Sequence, residues 1–370
     1  MYEQKQVKPK GGNQMVTQIE TPIRIGLIGC GGISQKAHFP ALEIAASMDL
    51  VRISAIADPI EANLSAIGDR ANLSSDRRHA NYRDMLAAGG LDLVIVATPH
   101  HLHAEHTTEA LSSRVAVISE KPMATSLEEA DRILELADRN RVLYTAVHNF
   151  LFSAVSQEAI RLLSEELGDR VFGRSKSLFA KSTSATDQVF WRNRKDAGGG
   201  CLADTCYHEI YLLENMIGSP VRYVEGRIKT KFFNFDVDDV ALLLLEHENG
   251  AVSTVMTSWG ASSGAGDQGN ICEVHTQGDG LRLISRGQSL YRFLRSNHQW
   301  QEIQVADHDY ITPEAKAFAG HTGYFMQTFQ ALANGTEIPI TGQQARQNLA
   351  IIEGARRASI ERKAIDLRNL

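Results

Sequence analysis

The first part of the chain alternates short apolar runs with amphipathic stretches. Ile23–Ile28 and Val51–Ala57 are apolar runs of strand length, and similar runs end at Val96 and Ser119. The segments between them carry apolar residues at helical spacing. This alternation over residues 23–147 predicts a parallel, doubly wound α/β sheet. Strands that are nearly continuously apolar fit such a sheet, because helices cover both of its faces.

The pattern changes in the second half of the chain. A helix is predicted at Ser153–Leu167, and longer apolar runs follow, connected by the hairpin signals Glu-Asn-Gly and Gly-Asp-Gly. These runs predict a mainly antiparallel sheet, followed by helices near Lys316–Ala333 and Gly342–Arg362. A length of 370 residues favours two domains. The predicted division is a flexible tail at 1–22, an α/β domain at 23–147 and an α+β domain at 148–370.

A glycine-rich loop follows the first predicted strand. Its sequence fits the pattern G-x-G-x-x-[GAS] and runs Gly29-Cys30-Gly31-Gly32-Ile33-Ser34. Gly29 permits the tight turn, and Gly31 allows the backbone to approach a pyrophosphate. The N–H groups and dipole of the following helix favour phosphate charge. The loop in this context predicts a dinucleotide-binding Rossmann domain, and the alternative is a related domain that binds no dinucleotide.

Asp58 follows the second predicted strand. In a dinucleotide-binding domain, an acid at this place accepts hydrogen bonds from the adenosine ribose. The next residues are Pro59, Ile60 and Glu61, so no arginine follows Asp58 to bind a 2′-phosphate. This arrangement favours NAD over NADP as the cofactor.

Two further strand ends carry polar residues. One is Thr98-Pro99, which leads into a histidine-rich stretch, and the other is Glu120-Lys121-Pro122. Ligands of doubly wound sheets bind outside the carboxyl ends of the strands. Lys121 is therefore predicted to point towards the nicotinamide, and the alternative is a lysine paired with Glu120 or a nearby carboxylate.

The histidine-rich stretch reads HHLHAEH and contains His100, His101, His103 and His106. It invites a metal-binding interpretation, but no carboxylate cluster stands at ligand spacing and the motif H-E-x-x-H is absent from the sequence. We therefore predict no metal site. Helix caps, backbone hydrogen bonds or a role near the cofactor are the expected functions of these histidines.

The net charge and the cysteines limit the classes of protein to which this chain can belong. The net charge is −6 and no lysine- or arginine-rich stripe is present, which argues against nucleic-acid binding. No apolar run reaches the roughly 18 residues that span a bilayer. Residues 1–22 lack the apolar core of a signal peptide, and they predict a mobile tail or an arm on a neighbouring subunit. The four cysteines form no C-x-x-C pair, which favours free thiols in a reducing cytoplasm.

A second candidate site begins with three consecutive glycines. The stretch Gly198–Glu214 reads GGGCLADTCYHEIYLLE, and Gly218 with Pro220 ends the predicted helix. Asp204 and His208 stand four residues apart, on one helical face. One interpretation is a capped helix start with a buried histidine. The other is half of an active site, in which the glycines leave room for substrate and nicotinamide.

Together these motifs resemble the Gfo/Idh/MocA family of oxidoreductases. The residues that carry the resemblance are GLIGCGGIS, AIAD, ATPHHLHAEH, EKPMA and GGGCLADTCYHEIYLLENMIG, and it extends from Ile23 to the final AIDL. The resemblance implies an NAD(P)-binding Rossmann domain and an open, mainly antiparallel sheet that commonly forms the interface of a homodimer or homotetramer. It also implies hydride transfer to or from a hydroxyl or carbonyl group of a sugar, cyclitol or related polyol.

The resemblance further implies a catalytic set of Lys121, Asp204 and His208. His208 is interpreted as the base that takes the hydroxyl proton, and Lys121 as the cation that stabilises the alkoxide. Asp204 would orient the imidazole. The predicted cofactor contacts are Gly29, Gly31, Gly32, Ile33, Ser34, Asp58, Thr98, Pro99, His103, Glu120 and Lys121. The predicted substrate contacts are the three catalytic residues together with Asn149, Trp191 and Arg192.

The glycine-led helix departs from the family pattern D-x-G-x-H-x-x-D. Cys206 stands in place of the glycine and Tyr211 in place of the last acid, while Glu209 points elsewhere on the helix. These departures leave the substrate class open. Two other activities also stay open: a lyase, dehydratase or glycosidase that recycles bound NAD, and a ligand sensor without catalysis.

Overall fold

A computed structural model of the chain describes residues 18–181, 190–261, 270–284 and 288–370. These residues form two compact units. The first unit holds the described chain up to Phe152 together with His308–Arg346. The second unit holds the described parts of Ser153–Asp307 together with Gln347–Leu370. The predicted tail lies outside the described residues as far as position 17.

The described residues form both strands and α-helices, numbered in chain order. The strands are β1 Ile23–Ile28, β2 Val51–Ala57, β3 Arg78–His79, β4 Leu93–Val96, β5 Ala116–Ser119, β6 Tyr144–Ala146, β7 Arg170–Leu178, β8 Val221–Lys229, β9 Val240–His247, β10 Val252–Ser258, β11 Asn270–Thr276, β12 Gly280–Ile284, β13 Ser289–Leu294, β14 Gln299–Ile303 and β15 Ile365–Asp366. The α-helices are α1 Phe39–Ser47, α2 Glu61–Gly68, α3 Tyr82–Ala88, α4 His103–Ser112, α5 Leu127–Asn140, α6 Ala154–Glu165, α7 Tyr207–Ile217, α8 Ala319–Asn334 and α9 Gly342–Glu361.

The first unit is built on a six-stranded parallel sheet. The strand order is β3-β2-β1-β4-β5-β6, with the order reversing between β1 and β4. The strands β1, β4 and β5 are almost entirely buried, as their apolar sequences predict. The predicted doubly wound fold is confirmed, and the order reversal defines the sheet edge where a ligand of such a fold binds.

The second unit is built on a nine-stranded sheet with the order β14-β13-β12-β11-β7-β10-β9-β8-β15. Its pairs are antiparallel except for β7 with β10, which run parallel. The prediction of a mainly antiparallel sheet is therefore confirmed. Helix α7 packs against β7 and β11 on one face of this sheet.

The sequence analysis did not find β7, although this strand lies in the middle of the second sheet. Its inward-facing residues are Gly173, Ser175 and Ser177 rather than large apolar side chains. Small residues are required there because α7 lies close. A Cβ on Gly173 would come within 2.8 Å of Leu213 Cδ1. The strand therefore lacks the apolar alternation by which half-buried strands are recognised.

Helix α8 packs with the first unit, although the predicted domain division placed it in the second domain. The hydroxyl groups of Tyr324 and Thr145 lie 2.9 Å apart, and Thr145 Oγ1 also donates to Ile340 O at 2.6 Å. A Cβ on Gly323 would lie 2.2 Å from Phe152 O, so only glycine fits this close approach. The domain division itself stays a prediction.

The start of α5 shows how local sequence sets a helix boundary. Ser126 Oγ accepts a hydrogen bond from Glu129 N at 3.2 Å, which is one half of a capping box. The Glu129 carboxylate accepts from Thr125 N at 2.9 Å, one residue earlier than in a standard capping box. This cap fixes the segment directly after Glu120-Lys121-Pro122.

All four cysteines, Cys30, Cys201, Cys206 and Cys272, are buried and unpaired. Within the described ranges, no helix has both the length and the apolar character that a membrane crossing requires.

Candidate active site

In the glycine loop after β1, Gly29 packs tightly against the neighbouring backbone, whereas Gly31 and Gly32 border open space. Gly29 has φ +93°, and a Cβ there would lie 2.5 Å from Ala97 O. A Cβ on Gly31 or Gly32 would meet no atom within 4 Å. Ser34 is fully buried, and its Oγ donates to Gly29 O at 2.6 Å. The chain thus closes its own turn at Gly29 and leaves space beside Gly31 and Gly32, as a bound pyrophosphate requires.

Ile33 stands immediately before the π-helical turn Ser34–His38, which continues into α1. The predicted helix therefore begins with a wider turn than expected. The Gln35 side chain donates to Cys30 O at 2.8 Å, which ties this turn back to the glycine loop.

Asp58 is hydrogen-bonded to the glycine loop. Its Oδ2 accepts a hydrogen bond from Cys30 N at 2.8 Å, and its Oδ1 accepts from Ile60 N at 2.9 Å. Asn63 Nδ2 lies 3.2 Å from both oxygens. Asp58 therefore shapes the loop, which the sequence analysis did not foresee. Its contact with a ribose stays a prediction.

The histidine-rich stretch mainly joins main-chain segments of the first unit. The two ring nitrogens of His103 lie 2.7 Å from Pro122 O and from Thr98 O. His106 Nδ1 lies 3.1 Å from Thr98 Oγ1, and burial lowers the pKa of His106 to about 4. His103 thus connects the strand end at Thr98-Pro99 to the Glu120-Lys121-Pro122 segment, through the backbone hydrogen bonds that were one of the expectations.

Glu120 is supported by two histidines that the sequence analysis did not single out. His38 Nε2 lies 2.8 Å from Glu120 Oε1, and His321 Nε2 lies 3.7 Å from the same oxygen. Glu120 Oε2 accepts a hydrogen bond from Lys121 N at 3.1 Å. Burial raises the pKa of Glu120, but the interactions with His321 and His38 outweigh it and hold this pKa well below its usual range. A charged carboxylate therefore fixes the backbone of Lys121.

His38, Glu120 and His321 also have the composition of a two-histidine, one-carboxylate metal site, with ligand-type atoms within 4.8 Å of one another. The 2.8 Å contact between His38 and Glu120 has the length of a charge-assisted hydrogen bond. We interpret the cluster as a hydrogen-bonded support for Lys121. Sequence alone could not have found it, because 82 residues separate His38 from Glu120.

In the second unit, two of the three glycines before α7 are packed against the chain itself. A Cβ on Gly199 would lie 2.2 Å from Arg192 O, and a Cβ on Gly200 would lie 2.5 Å from Asp238 Oδ1. Gly198 and Gly200 also have positive φ values of +71° and +109°. The idea that these glycines leave room for a ligand is therefore wrong at Gly199 and Gly200. They permit a tight loop that brings Arg192 close to the start of the helix.

Asp204 lies in the π-helical turn Leu202–Cys206 that precedes α7. Arg192 Nε lies 3.3 Å from Asp204 Oδ2, and the Arg192 guanidinium carbon lies 4.2 Å from the centroid of the Trp191 ring. Asp238 caps the same helix start, since its Oδ2 accepts from Leu202 N at 2.7 Å. The structure thus places three predicted residues, Asp204, Trp191 and Arg192, in one group.

His208 lies one turn further along, at the start of α7. Its Nδ1 is 2.9 Å from the hydroxyl oxygen of Tyr211, which is buried. Tyr211, noted from the sequence as a departure, is therefore a direct partner of the predicted base. Glu209 faces the sheet instead, where its carboxylate accepts a hydrogen bond from Ser175 Oγ.

Lys181 is a residue of this region that the sequence analysis missed. Its Nζ donates to Asn193 Oδ1 at 2.6 Å and lies 3.4 Å from the centroid of the Trp259 ring. Trp259 Nε1 in turn donates to Thr205 Oγ1 at 2.8 Å, next to Asp204. No local motif marks Lys181, because its partners Asn193 and Trp259 come from two other segments of the chain.

The remaining predicted residues belong to the first unit. Asn149 is buried in the 3-10 turn Asn149–Leu151, and Lys121 is buried after β5. Lys121 and Asn149 thus lie in the first unit, while Asp204, His208, Trp191 and Arg192 lie in the second.

The parallel sheet, its glycine loop and the family comparisons define this protein as an oxidoreductase with a nicotinamide-cofactor domain. A model described as "Oxidoreductase family, NAD-binding Rossmann fold" matches residues 23–148, and one described as "GFO/IDH/MocA C-terminal domain" matches residues 157–280. The chain belongs to the Gfo/Idh/MocA family. The predictions of the family, of an enzyme and of a nicotinamide dinucleotide cofactor are thereby confirmed.

Several characterised relatives are dehydrogenases. The D-apiose dehydrogenase of Rhizobium rhizogenes is 24% identical over 361 residues, covering 94% of this chain and 98% of the relative. The NADP(+)-dependent scyllo-inositol 2-dehydrogenase of Bacillus subtilis is 22% identical, covering 93% and 96%. The NADP(+)-dependent D-xylose 1-dehydrogenase 2 of Haloferax volcanii is 26% identical, covering 63% and 69%.

Solved structures share the fold over nearly the whole chain. An Agrobacterium radiobacter oxidoreductase in complex with NAD+, L-tartaric acid and magnesium matches with a TM-score of 0.81 and 21% identity, covering 94% of this chain and 99% of that one. A levoglucosan dehydrogenase in complex with NADH and levoglucosan matches with a TM-score of 0.81 and 19% identity, covering 93% and 99%. These similarities establish the common architecture of both units.

Proposed function

We propose that the protein is an NAD-dependent dehydrogenase that acts on a hydroxyl or carbonyl group of a sugar, cyclitol or related polyol. The observation that carries the proposal is the contact of His208 Nδ1 with the Tyr211 hydroxyl, one helical turn from Asp204. This contact fixes the orientation of the imidazole, and Asp204 stands four residues before it in the chain. The names of the relatives, which include dehydrogenases of apiose, xylose and inositol, support the substrate class.

His208 is assigned the proton transfer. The tautomer with hydrogen on Nδ1 donates to the Tyr211 oxygen and leaves the lone pair on Nε2, as a general base requires. When bound, NAD+ supplies the hydride acceptor for alcohol oxidation. Lys121 is assigned the stabilisation of the alkoxide by its positive charge. Asp204 balances the charge of the imidazolium that forms.

The fit of the first unit to a dinucleotide supports the cofactor assignment. The space beside Gly31 and Gly32 suits a pyrophosphate, and Asp58 holds the loop that surrounds it. A carboxylate at this strand end would repel the 2′-phosphate of NADP, so we assign NAD. Titration of the protein with NAD+ and NADP+ tests this preference, and tighter binding of NADP+ would contradict it.

Asn149, Trp191 and Arg192 are assigned to substrate binding together with Lys121, Asp204 and His208. The indole of Trp191 offers the flat apolar surface against which the C–H face of a sugar ring packs, and Arg192 adds hydrogen-bond donors. Four buried, unpaired cysteines support the proposed cytoplasmic location, because reducing compartments keep thiols free.

We also propose a homodimer or homotetramer. One face of the second sheet exposes a patch of apolar side chains made of Leu242, Leu244, Val252, Met256 and Phe172. Leu242 pairs with Met256 across β9 and β10, and Val252 pairs with Phe172 across β10 and β7. A contiguous apolar patch of this kind marks a protein interface.

The experiment that tests the activity mixes the purified protein with NAD+ and a panel of sugars and cyclitols and follows the absorbance of reduced cofactor. His208→Ala is expected to lower kcat by about 10²–10⁴-fold. His298→Ala, an exposed histidine of the same unit, is the matched control and is expected to retain full activity. Substrate conversion without net NADH would favour the cofactor-recycling activity instead, and NAD binding without any turnover would favour a sensor.

A further inference from the structure

Two cations of the second unit, Lys181 and Arg192, lie together and form what we call the cation pair. Both approach the exposed ring of Phe190, with Lys181 Nζ 6.0 Å and the Arg192 guanidinium carbon 5.5 Å from its centroid. Asn193, the residue after Arg192, accepts the hydrogen bond from Lys181. The cation pair is therefore one local feature and not two separate surface charges.

Lys181 is unusual because its ammonium group is partly shielded from water, while none of the described residues forms an ion pair with it. Among the described residues, no carboxylate oxygen lies within 4.0 Å of its Nζ. Its neighbours are the neutral amide of Asn193 and the faces of Trp259 and Phe235, at 3.4 Å and 5.6 Å. Partial removal of a cation from water is unfavourable unless a negative group compensates it. Aromatic faces and one amide compensate it only in part.

The described charges around the cation pair sum to an excess of positive charge. Arg192 contacts Asp204, the acid that also acts on Lys181 through space. Burial lowers the pKa of Lys181 to about 8, so the ammonium form still predominates at neutral pH. Cys201 is the third group that faces Lys181, and burial raises the pKa of this thiol well above its usual value. Among the described groups that act on Lys181, one carboxylate, Asp204, therefore faces the two cations.

We propose that Lys181 and Arg192 bind an anionic group, a carboxylate or a phosphate, carried by the polyol substrate. This inference rests on the proposed function and names the substrate class of the same site. The proximity of the cation pair to Asp204 places the anion near the group that reacts. A charged hydrogen bond contributes about 1.5–3 kcal/mol, which corresponds to a preference of roughly 10–100-fold over a neutral substrate of the same shape.

The test compares three matched substrate types with NAD+: a neutral sugar, the corresponding sugar acid and the corresponding sugar phosphate. Steady-state kinetics give kcat and KM for each, and calorimetry gives the affinity of each without turnover. We expect one of the two anionic types to have a kcat/KM at least tenfold above the neutral sugar. The sugar acid and sugar phosphate arms distinguish the two sources of the anion.

Variants connect the preference to the cation pair. Lys181→Met is expected to raise KM for the anionic substrate at least tenfold more than KM for the neutral one. Lys181→Arg keeps the charge and is expected to retain most of the preference. Lys229→Met removes the same charge from an exposed position on β8 and is the matched control, with no expected change. Thermal unfolding of each variant verifies that it is folded.

The outcomes separate this inference from the proposed function. Turnover of neutral polyols without any preference for an anion would overturn the inference and leave the dehydrogenase assignment standing. A preference that survives Lys181→Met would also overturn it. If no polyol is oxidised, the dehydrogenase assignment fails, and calorimetry then decides the inference: equal affinity for the sugar and both anions contradicts it.

Discussion

The hydroxyl oxygen of Tyr211 lies 2.9 Å from Nδ1 of His208, and the two rings meet edge to face with centroids 5.6 Å apart. Tyr211 is 1% exposed, so water does not compete for this contact. A neutral phenol thus occupies the position of an acid in the family pattern. It orients the imidazole, but it stabilises the imidazolium less than a carboxylate would.

The first prediction concerns this contact. Tyr211→Phe removes the hydroxyl and keeps the ring, so it is expected to lower kcat up to about tenfold through the loss of one hydrogen bond. Tyr211→Asp adds a negative charge beside His208, and we expect it to raise the apparent pKa of the base by about one unit. The pH profile of kcat/KM measures both. An unchanged profile in Tyr211→Asp would mean that His208 is not the titrating base.

The second prediction compares two glycines of the same loop. Gly31→Ala places a methyl group in open space, so we expect an unchanged melting temperature but at least tenfold weaker NAD binding, because the methyl group occupies the place of the pyrophosphate. Gly29→Ala forces a side chain towards Ala97 O at a positive φ, so it is expected to destabilise the fold. Calorimetric titration with NAD+ and thermal unfolding distinguish the two effects. Normal NAD affinity in Gly31→Ala would argue against the proposed pyrophosphate position.

The third prediction concerns stability and pH. Burial raises the pKa of Glu214 to about 7, although Val221 N donates to its Oε1 at 2.8 Å. The folded-state pKa lies above the unfolded value, so the contribution of Glu214 to stability is complete below about pH 4.5 and is lost as the pH rises through 7. Glu214→Gln keeps the acceptor without the charge. It is expected to stabilise the protein at pH 8 by on the order of 2 kcal/mol.

Denaturant unfolding of Glu214→Gln and wild type at pH 5 and pH 8 measures this difference. Glu225→Gln, an exposed position on β8, serves as the control and should change neither curve. An equal effect of Glu214→Gln at both pH values would show that ionisation of Glu214 does not determine stability.

The fourth prediction concerns assembly. Leu244 and Met256 are 50% and 41% exposed on the apolar patch of the second sheet. Replacing both by lysine is expected to convert an oligomer into monomers, because charge cannot be buried there without a partner. Ile360→Lys, at a residue that is 82% exposed on α9, is the matched control. Light scattering after size exclusion measures the mass, and an oligomer that persists in the double variant would exclude this face as the interface.

The parallel sheet was predictable because each of its strands is recognised from a short stretch of sequence. β1 and β2 have the same bounds in the sequence analysis and in the structure, since each is a mainly apolar run followed by glycine or aspartate. The glycine loop was found for the same reason. β7 was missed because its inward positions are small polar residues selected by the approach of α7.

The candidate site was predictable only in part. Asp204 and His208 are four residues apart and lie on consecutive helical turns, so their proximity follows from the sequence. The contacts of His38 and His321 with Glu120 do not follow from the sequence, because these residues come from distant segments that only folding brings together. Lys181 was missed for the same reason, since its partners Asn193 and Trp259 are remote in the chain.

The sequence by itself determined the class of fold, the position of the glycine loop and the identity of the groups assigned to chemistry, because hydrophobic periodicity and short motifs act over a few residues. Tertiary structure alone decided which partners orient these groups and how burial affects their charge. The glycines before α7 accommodate the backbone of Arg192 and the carboxylate of Asp238, Tyr211 fixes the ring of His208, and the surroundings of Lys181 withdraw it from water. Burial and long-range contacts set these properties, and both exist only in the folded chain.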